Sequence, residues 1–94
     1  MNSDDFEWND AKAAQNLAAH GVSFDAAVEV FKDPFAIEYV DDRDDYGEDR
    51  YVIIGMADDR LLCVVYTQRN GTIRIISARG AEPHERRRYH EDNT

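Results

Sequence analysis

The hydrophobic and polar positions of this chain follow two different periods, which predict helices near both ends and strands between them. The helical segments begin at residues that cap or open helices, Asp10, Ser23 and Pro83, and the first segment stops at Gly21. The predicted helices cover about residues 11–20, 24–32 and 83–91. Runs rich in β-branched and aromatic residues predict strands over 35–40, 50–57, 60–69 and 72–79.

Two short turns connect the last three strands. Asp58-Asp59 and Asn70-Gly71 each leave two residues between strands, and Asn-Gly favours a type I′ hairpin turn. The element order therefore predicts an α+β fold with two N-terminal helices, a four-stranded antiparallel meander sheet and a C-terminal helix. Because 94 residues bury only a thin core, we expect one domain over residues 1–94, with a single helical layer on the sheet.

The first helix has an apolar and a polar side on a helical wheel. The stripe expected to face the core consists of Ala11, Ala14, Leu17 and Ala18. Lys12, Asn16 and His20 recur every four residues on the opposite side, and Trp8 precedes them by the same spacing. This ladder is either a solvated helix face or a rigid surface that meets a ligand or partner.

Register counted from the two turns predicts a polar cluster at one end of the sheet. Arg50, Thr67 and Arg74 fall in one row on one face. Glu48 and Arg69 lie just beyond that row. Such a cluster is either a structural salt-bridge network or a place where guanidinium groups hold phosphates beside an ionised carboxylate.

The same register separates Arg79 from this cluster. Arg79 is expected opposite Leu62 and on the other face of the sheet, roughly 23 Å from Arg69 at about 3.4 Å per residue. The two arginines are therefore not expected to clamp one phosphate. A β-bulge would change the register by one residue and exchange the faces.

Charge is distributed unevenly along the chain. Residues 1–59 contain 16 acidic and 4 basic residues, whereas residues 60–88 contain seven arginines and two glutamates. The net charge of −9 argues against nucleic acid, but the arginine-rich second half suits phosphate groups.

Other features narrow the class of protein. Cys63 lies in an apolar run, which favours a buried, reduced thiol and a cytoplasmic protein. The chain has no apolar run of membrane-spanning length, no signal peptide and no usual metal-ligand spacing. We therefore expect no membrane association, no cofactor and no metal.

Four segments, in order, resemble the BrnT family of toxins. They are FEWNDAKAAQNLAAHGVSFDAAVEVFKDP, GEDRYVIIG, LLCVVYTQR and RIISARGAEPHERRRY, which span residues 6–89. The resemblance implies a type II toxin with a RelE-like fold that cuts RNA without a metal and so arrests translation. It also implies a BrnA-like ribbon-helix-helix antitoxin as partner, with operator DNA bound only through the complex.

The polar positions that match the family are Trp8, Lys12, Asn16, His20, Glu48, Arg50, Arg69, Arg79, Glu85 and Arg86. Candidate site residues are taken from these positions, from the row at the sheet end and from the aromatic side chains. The candidates for catalysis are His20, Glu48, Arg69 and Arg79. The candidates for RNA binding are Lys12, Asn16, Arg50, Arg74 and Arg86. The candidates for antitoxin contact are Trp8, Tyr51, Tyr66 and Tyr89. Glu48 or His20 would act as the general base, and the other of the two, or Lys12, as the general acid.

The chain departs from the family pattern at a few positions. Ala19 and Gly80 replace lysines, and Glu82 replaces a small hydroxyl residue, so positive charge is lost. An attenuated toxin that acts only as a protein-binding module is therefore the alternative. A hydrolase with Cys63 as nucleophile is disfavoured because this residue lies on an apolar strand face.

Overall fold

The computed structural model describes residues 5–42 and 47–93, in which a five-stranded mixed sheet carries helices on both faces. The helices are α1 (Asp10–His20), α2 (Phe24–Val30) and α3 (Pro83–Asp92). The strands are β1 (Phe6–Glu7), β2 (Ile37–Asp41), β3 (Arg50–Ala57), β4 (Arg60–Arg69) and β5 (Thr72–Gly80). The strand order across the sheet is β1-β5-β4-β3-β2. The predicted α+β class is confirmed.

The prediction of four antiparallel strands is wrong in detail, because β1 adds a fifth strand. It pairs in parallel with β5, with Phe6 beside Ile73 and Glu7 beside Arg74. The N–H of Ile73 also donates to the carbonyl of Asp5 at 2.9 Å. Two residues are too few to show the alternation by which a strand is recognised in sequence. The pairing of β2 to β5 is antiparallel, as expected.

The core has two layers, so the expectation of a single helical layer is also wrong. One layer packs α1 and α2 on the sheet; its buried residues are Trp8, Val22, Phe24, Ala27, Val30, Ile53, Ala57, Leu62, Val64, Tyr66, Ile75 and Ala78. The other places α3 against the opposite face; its buried residues are Val52, Ile54, Leu61, Cys63 and Tyr89. The central strands β3 and β4 are apolar at consecutive positions, as strands buried on both faces are.

Most of the predicted helix caps and turns are present in the structure. Ser23 caps α2 by accepting from the N–H of Ala26 at 3.0 Å, and Gly21 ends α1 in the left-handed region at φ 68°. Asn70 and Gly71 both have positive φ, as the type I′ turn requires. The N-cap of α1 is Asn9 rather than the predicted Asp10.

Helix α1 packs on the sheet with the side that was predicted to face solvent. Asn16, predicted on the solvated side, is 8% exposed, whereas Leu17, predicted in the core, is 51% exposed. The side-chain amide of Asn16 donates to the carbonyls of Val22 at 3.0 Å and Ala78 at 2.7 Å, and its oxygen accepts from the N–H of Ala78 at 3.1 Å. Both amide protons are thus used inside the protein, which contradicts the assignment of Asn16 to RNA contact.

The reason lies in the edge of β5. Strand β1 covers that edge only as far as Arg74, so the outward backbone groups further along need other partners. Asn16 supplies both a donor and an acceptor to Ala78. Burying alanine methyl groups is worth little by comparison, and the helix therefore turns its amide, not its alanines, toward the sheet.

A β-bulge in β5 changes the predicted register beyond Tyr66. Tyr66 pairs with Ile75 as expected, but Val65 pairs with Ser77, which leaves Ile76 as the extra residue. Arg79 consequently lies opposite Cys63, not Leu62. It projects on the α3 side of the sheet, so the predicted face of Arg79 is wrong.

Candidate active site

Five of the predicted site residues meet at one end of the sheet. They line a cavity of about 60 Å³ together with Asn9, Ile75 and Ile76. We call this set the arginine cluster; its members are Lys12, Glu48, Arg50, Arg69 and Arg74. The arginines come from the start of β3, the end of β4 and the start of β5, and the first turn of α1 brings the lysine. The predicted convergence at this sheet end is confirmed, although the roles of the residues remain proposals.

Two ion pairs order the arginine cluster. Arg69 Nη2 lies 3.1 Å from Glu48 Oε1, and the two side chains are 49% and 29% exposed. Arg74 Nη1 lies 2.9 Å from Glu7 Oε2, with both side chains about one quarter exposed. An exposed pair contributes about 0–1 kcal/mol, so Arg69 can exchange Glu48 for another anion at small expense.

The arginine cluster has an excess of positive charge, which favours the binding of anions. Four cationic side chains outnumber the carboxylates of Glu48 and Glu7, in a chain whose net charge is −9. Thr67 Oγ1 donates to the carbonyl of Asp49 at 2.6 Å, which fixes the backbone next to Glu48. Glu7 was not a predicted site residue, because it reaches Arg74 only through the pairing of β1 with β5.

Arg79 belongs to a different cluster, beneath α3. Its guanidinium donates to Glu85 through Nη1 at 2.8 Å and Nη2 at 3.0 Å, and Nη2 lies 3.3 Å from Glu82. Burial alone would raise the pKa of the Glu85 carboxyl, but hydrogen bonds from Arg79 and from the N–H of Glu82 lower it. The bidentate bond to Glu85 in turn raises the pKa of Arg79. The fork of Arg79 is thus occupied by carboxylates of the chain itself.

The surroundings of Arg79 do not favour a phosphate. A cavity of about 370 Å³ in front of it is lined on its polar side by Asp41, Asp42, Ser77, Arg79, Glu82, His84 and Glu85. Carboxylates outnumber cations there, so an incoming phosphate meets like charge. The buried Cys63 lines the same cavity, and its predicted burial is confirmed. Glu85 was predicted only as a position that matches the family, with no role assigned to it, and His84 was not a predicted site residue.

Replacing Glu85 with Gln is expected to lower the free energy of unfolding at pH 7 by about 1–2 kcal/mol, since Arg79 is 31% exposed and solvent weakens the pair. The pKa of Glu85 is lowered on folding, so its contribution is present above the unfolded carboxyl pKa of about 4.3 and is lost as pH falls through the folded value. Urea unfolding at pH 7 and pH 3 measures both effects.

The same substitution at Glu82, whose side chain is 58% exposed, serves as the control and should change stability by less than about 0.5 kcal/mol. An equal loss for Glu85→Gln at both pH values would contradict the ion-pair explanation.

His20 does not join the arginine cluster. It is exposed at the last residue of α1, eight positions from Lys12, or about 12 Å along the helix axis. The next residue, Gly21, accepts from Arg60 at 3.4 Å, at the far end of the sheet. The predicted pairing of His20 with Glu48 in acid–base catalysis is therefore not supported by the geometry. Arg86 is exposed on α3, away from the residues that line the cluster.

Three of the four aromatic residues predicted to contact an antitoxin are buried in the core. Trp8, Tyr66 and Tyr89 are 8%, 6% and 7% exposed. The hydroxyl of Tyr66 donates to Glu38, and burial together with this bond raises its pKa. The hydroxyl of Tyr89 donates to a carboxylate oxygen of Asp33 at 2.7 Å, and burial with this bond raises its pKa to about 12. Tyrosines bury readily once their hydroxyl groups find partners.

Tyr51, the fourth of these residues, is half-buried, with its ring 5.4 Å from that of Tyr66. Across residues 5–42 and 47–93, no group of three or more His, Cys, Asp or Glu side chains is placed to hold a metal ion. No helix in the same ranges has the length and apolar character needed to cross a membrane.

The α+β fold and the arginine cluster define a small protein suited to bind a polyanion. The model of one protein family, described as the ribonuclease toxin, BrnT, of type II toxin–antitoxin systems, matches residues 8–85. The chain belongs to this family, and the resemblance seen in the sequence is confirmed. Membership implies an RNA target and an antitoxin partner. A search of curated proteins finds no match to the chain.

Proposed function

We propose that the chain is a cytoplasmic, metal-independent endoribonuclease whose catalytic site is the arginine cluster. It forms one RelE-like domain over residues 1–94 and arrests translation by cutting RNA. A BrnA-like ribbon-helix-helix antitoxin neutralises it, and operator DNA is bound only by the complex. The observation that carries the proposal is the cluster itself, in which a carboxylate, a lysine and three arginines line one cavity.

The reaction uses the 2′-hydroxyl of the RNA as nucleophile. Glu48 takes the 2′ proton as the new bond from O2′ to phosphorus forms, and the bond from phosphorus to O5′ breaks. Lys12 donates the proton that the leaving 5′ oxygen needs. The products are a 2′,3′-cyclic phosphate and a 5′-hydroxyl, and every atom comes from RNA and the two side chains.

The arginines of the cluster stabilise the additional negative charge on phosphorus in the transition state. Arg69 first exchanges Glu48 for a phosphate oxygen, which also releases the carboxylate to act as base. Arg74 stays paired with Glu7 and contributes mainly to the local positive potential. Arg79 and Asn16 have structural roles in this proposal. Arg79 attaches α3 to the sheet through Glu85, and Asn16 attaches α1 to β5 through Ala78.

The size of the cavity supports a strand lying along the surface. About 60 Å³ is far below the roughly 300–1,000 Å³ typical of pockets that enclose a ligand. The cluster therefore suits one phosphate group of an RNA strand whose bases lie outside it. Base preference would then come from surfaces beyond the cluster.

The test is cleavage of RNA by the purified protein in the presence of EDTA. Wild type should leave 2′,3′-cyclic phosphate and 5′-hydroxyl ends, and Arg69→Ala should cut roughly 10²–10³-fold more slowly. Arg60→Ala, an exposed arginine at the far end of the sheet, should cut like wild type. If wild type binds antitoxin but leaves RNA intact, the protein is the non-enzymatic binding module instead.

A further inference from the structure

The outward side of α1 is apolar and exposed. Asn16 faces the sheet, so the stripe of Ala11, Ala14, Leu17 and Ala18 faces away from it. Between this stripe and the start of α2 lies a groove of about 180 Å³. We call it the α1–α2 groove; it is lined by Trp8, Ala13, Ala14, Leu17, Ser23, Phe24 and Asp25.

The floor of the α1–α2 groove is held in place by the core. Trp8 and Phe24 are 8% and 2% exposed, and their rings meet edge to face with centroids 5.8 Å apart. Leu17 forms one wall and is 51% exposed. A concave apolar surface with a rigid aromatic floor suits a single apolar anchor, because little side-chain freedom is lost on binding.

The charges around the α1–α2 groove indicate a basic occupant. Asp25 lines the groove, and Asp10 lies two helical turns before Leu17 on the same stripe. Lys12 points to the other side of α1, where it lines the arginine cluster. A second copy of the chain would bring two acidic rims together across a two-fold axis, and like charges oppose such contact.

We propose that the α1–α2 groove binds a basic, amphipathic segment of the antitoxin and takes one of its apolar side chains. Family membership supplies the protein partner, and the groove supplies an apolar, acid-rimmed surface. The mode is that of an amphipathic segment laid into a hydrophobic groove. The proposal extends the antitoxin part of the proposed function but does not depend on RNA cleavage.

The α1–α2 groove and the arginine cluster lie on different sides of α1. Leu17 and Lys12 project from different sides of one helix, so a segment in the groove lies beside the arginine cluster without occupying it. Substitutions in the groove should therefore weaken antitoxin binding and leave RNA cleavage unchanged.

The experiment measures binding of the purified antitoxin encoded beside the toxin gene, by calorimetry. Leu17→Lys should weaken binding roughly 30-fold or more, as expected for loss of an interface hot spot. Leu17→Glu should weaken it less, because the added negative charge still attracts a basic segment. Ala14→Lys, a second variant at an exposed helical position, should behave like Leu17→Lys.

The matched control is Ala19→Lys, which adds the same charge on another side of α1, next to Gln15 and Ile76. It should bind antitoxin within about threefold of wild type. Thermal unfolding of each variant establishes that the fold is retained. We expect it to be retained because substitutions at exposed positions usually change stability little.

Three outcomes would overturn the proposal. The first is wild-type affinity for both Leu17→Lys and Ala14→Lys. The second is an equal loss for Ala19→Lys. The third is a wild-type dimer in analytical ultracentrifugation that Leu17→Lys converts to a monomer, which would make a second copy of the chain the occupant. RNA cleavage by Leu17→Lys, measured in parallel, separates failure of this proposal from failure of the proposed catalytic site.

Discussion

Replacing Glu48 with Gln is expected to slow RNA cleavage by roughly 10²–10⁴-fold, the usual contribution of a positioned general base. Gln has the same shape and can still accept a hydrogen bond from Arg69, which lies 3.1 Å from Glu48 in the native protein. It cannot take the proton of the 2′-hydroxyl at neutral pH. Rates of cleavage of a defined RNA under single-turnover conditions measure the effect.

The structure offers a matched control for this experiment. Glu29 pairs with Lys32 on the protein surface at 3.2 Å, outside the arginine cluster, so Glu29→Gln should cut RNA at the wild-type rate. The Arg69–Glu48 pair is exposed, so Glu48→Gln should change the free energy of unfolding by less than about 1 kcal/mol. Wild-type cleavage by a folded Glu48→Gln protein would exclude this residue as the base.

Replacing Asn16 with Ala is expected to lower the free energy of unfolding by about 2–4 kcal/mol. The substitution removes three buried hydrogen bonds and leaves backbone groups of Val22 and Ala78 without their partner. Each buried group left unsatisfied costs about 1–3 kcal/mol, and the losses are less than additive because one side chain makes all three bonds. Equilibrium unfolding in urea measures the change.

Two further variants sharpen this prediction. Asn16→Asp keeps the shape but replaces the amide donor by a charged acceptor, so it should destabilise the protein at least as much as Asn16→Ala. Gln15→Ala, at the adjacent exposed position, should stay within about 0.5 kcal/mol of wild type. If Asn16→Ala keeps wild-type stability and loses only RNA affinity, Asn16 is an RNA contact after all.

The sheet-end members of the arginine cluster could be predicted because local rules determine their register, whereas the place of Lys12 beside them could not. The two hairpin turns have two residues each, so counting from them aligns neighbouring strands near the turns. Thr67 lies beside Arg74 and Tyr51 beside Tyr66, as counted. The prediction failed for Arg79 because a bulge between the turn and that residue shifts the pairing by one. Bulges carry no reliable signal in a single sequence.

The side of α1 that packs on the sheet could not be predicted from hydrophobicity. An alanine-rich helix has only a weak hydrophobic preference for either side, so a few hydrogen bonds decide its orientation. Those bonds depend on backbone groups of Ala78, 62 positions away in the chain. The prediction that Tyr66 and Tyr89 contact an antitoxin is not supported for a related reason, since Glu38 and Asp33 accept hydrogen bonds from their hydroxyl groups inside the fold.

The sequence by itself determined the α+β class, the caps and turns, the strand pairing near the hairpins and the family. These features depend on residues that are neighbours in the chain or lie a fixed count from a turn. Only the tertiary structure decided the fifth strand, the second helical layer, the inward side of α1 and the partners of Arg79. The second helical layer covers an apolar face of the sheet, and the other three depend on which distant backbone or carboxylate group needed a partner. Both conditions become defined only when the whole sheet is assembled.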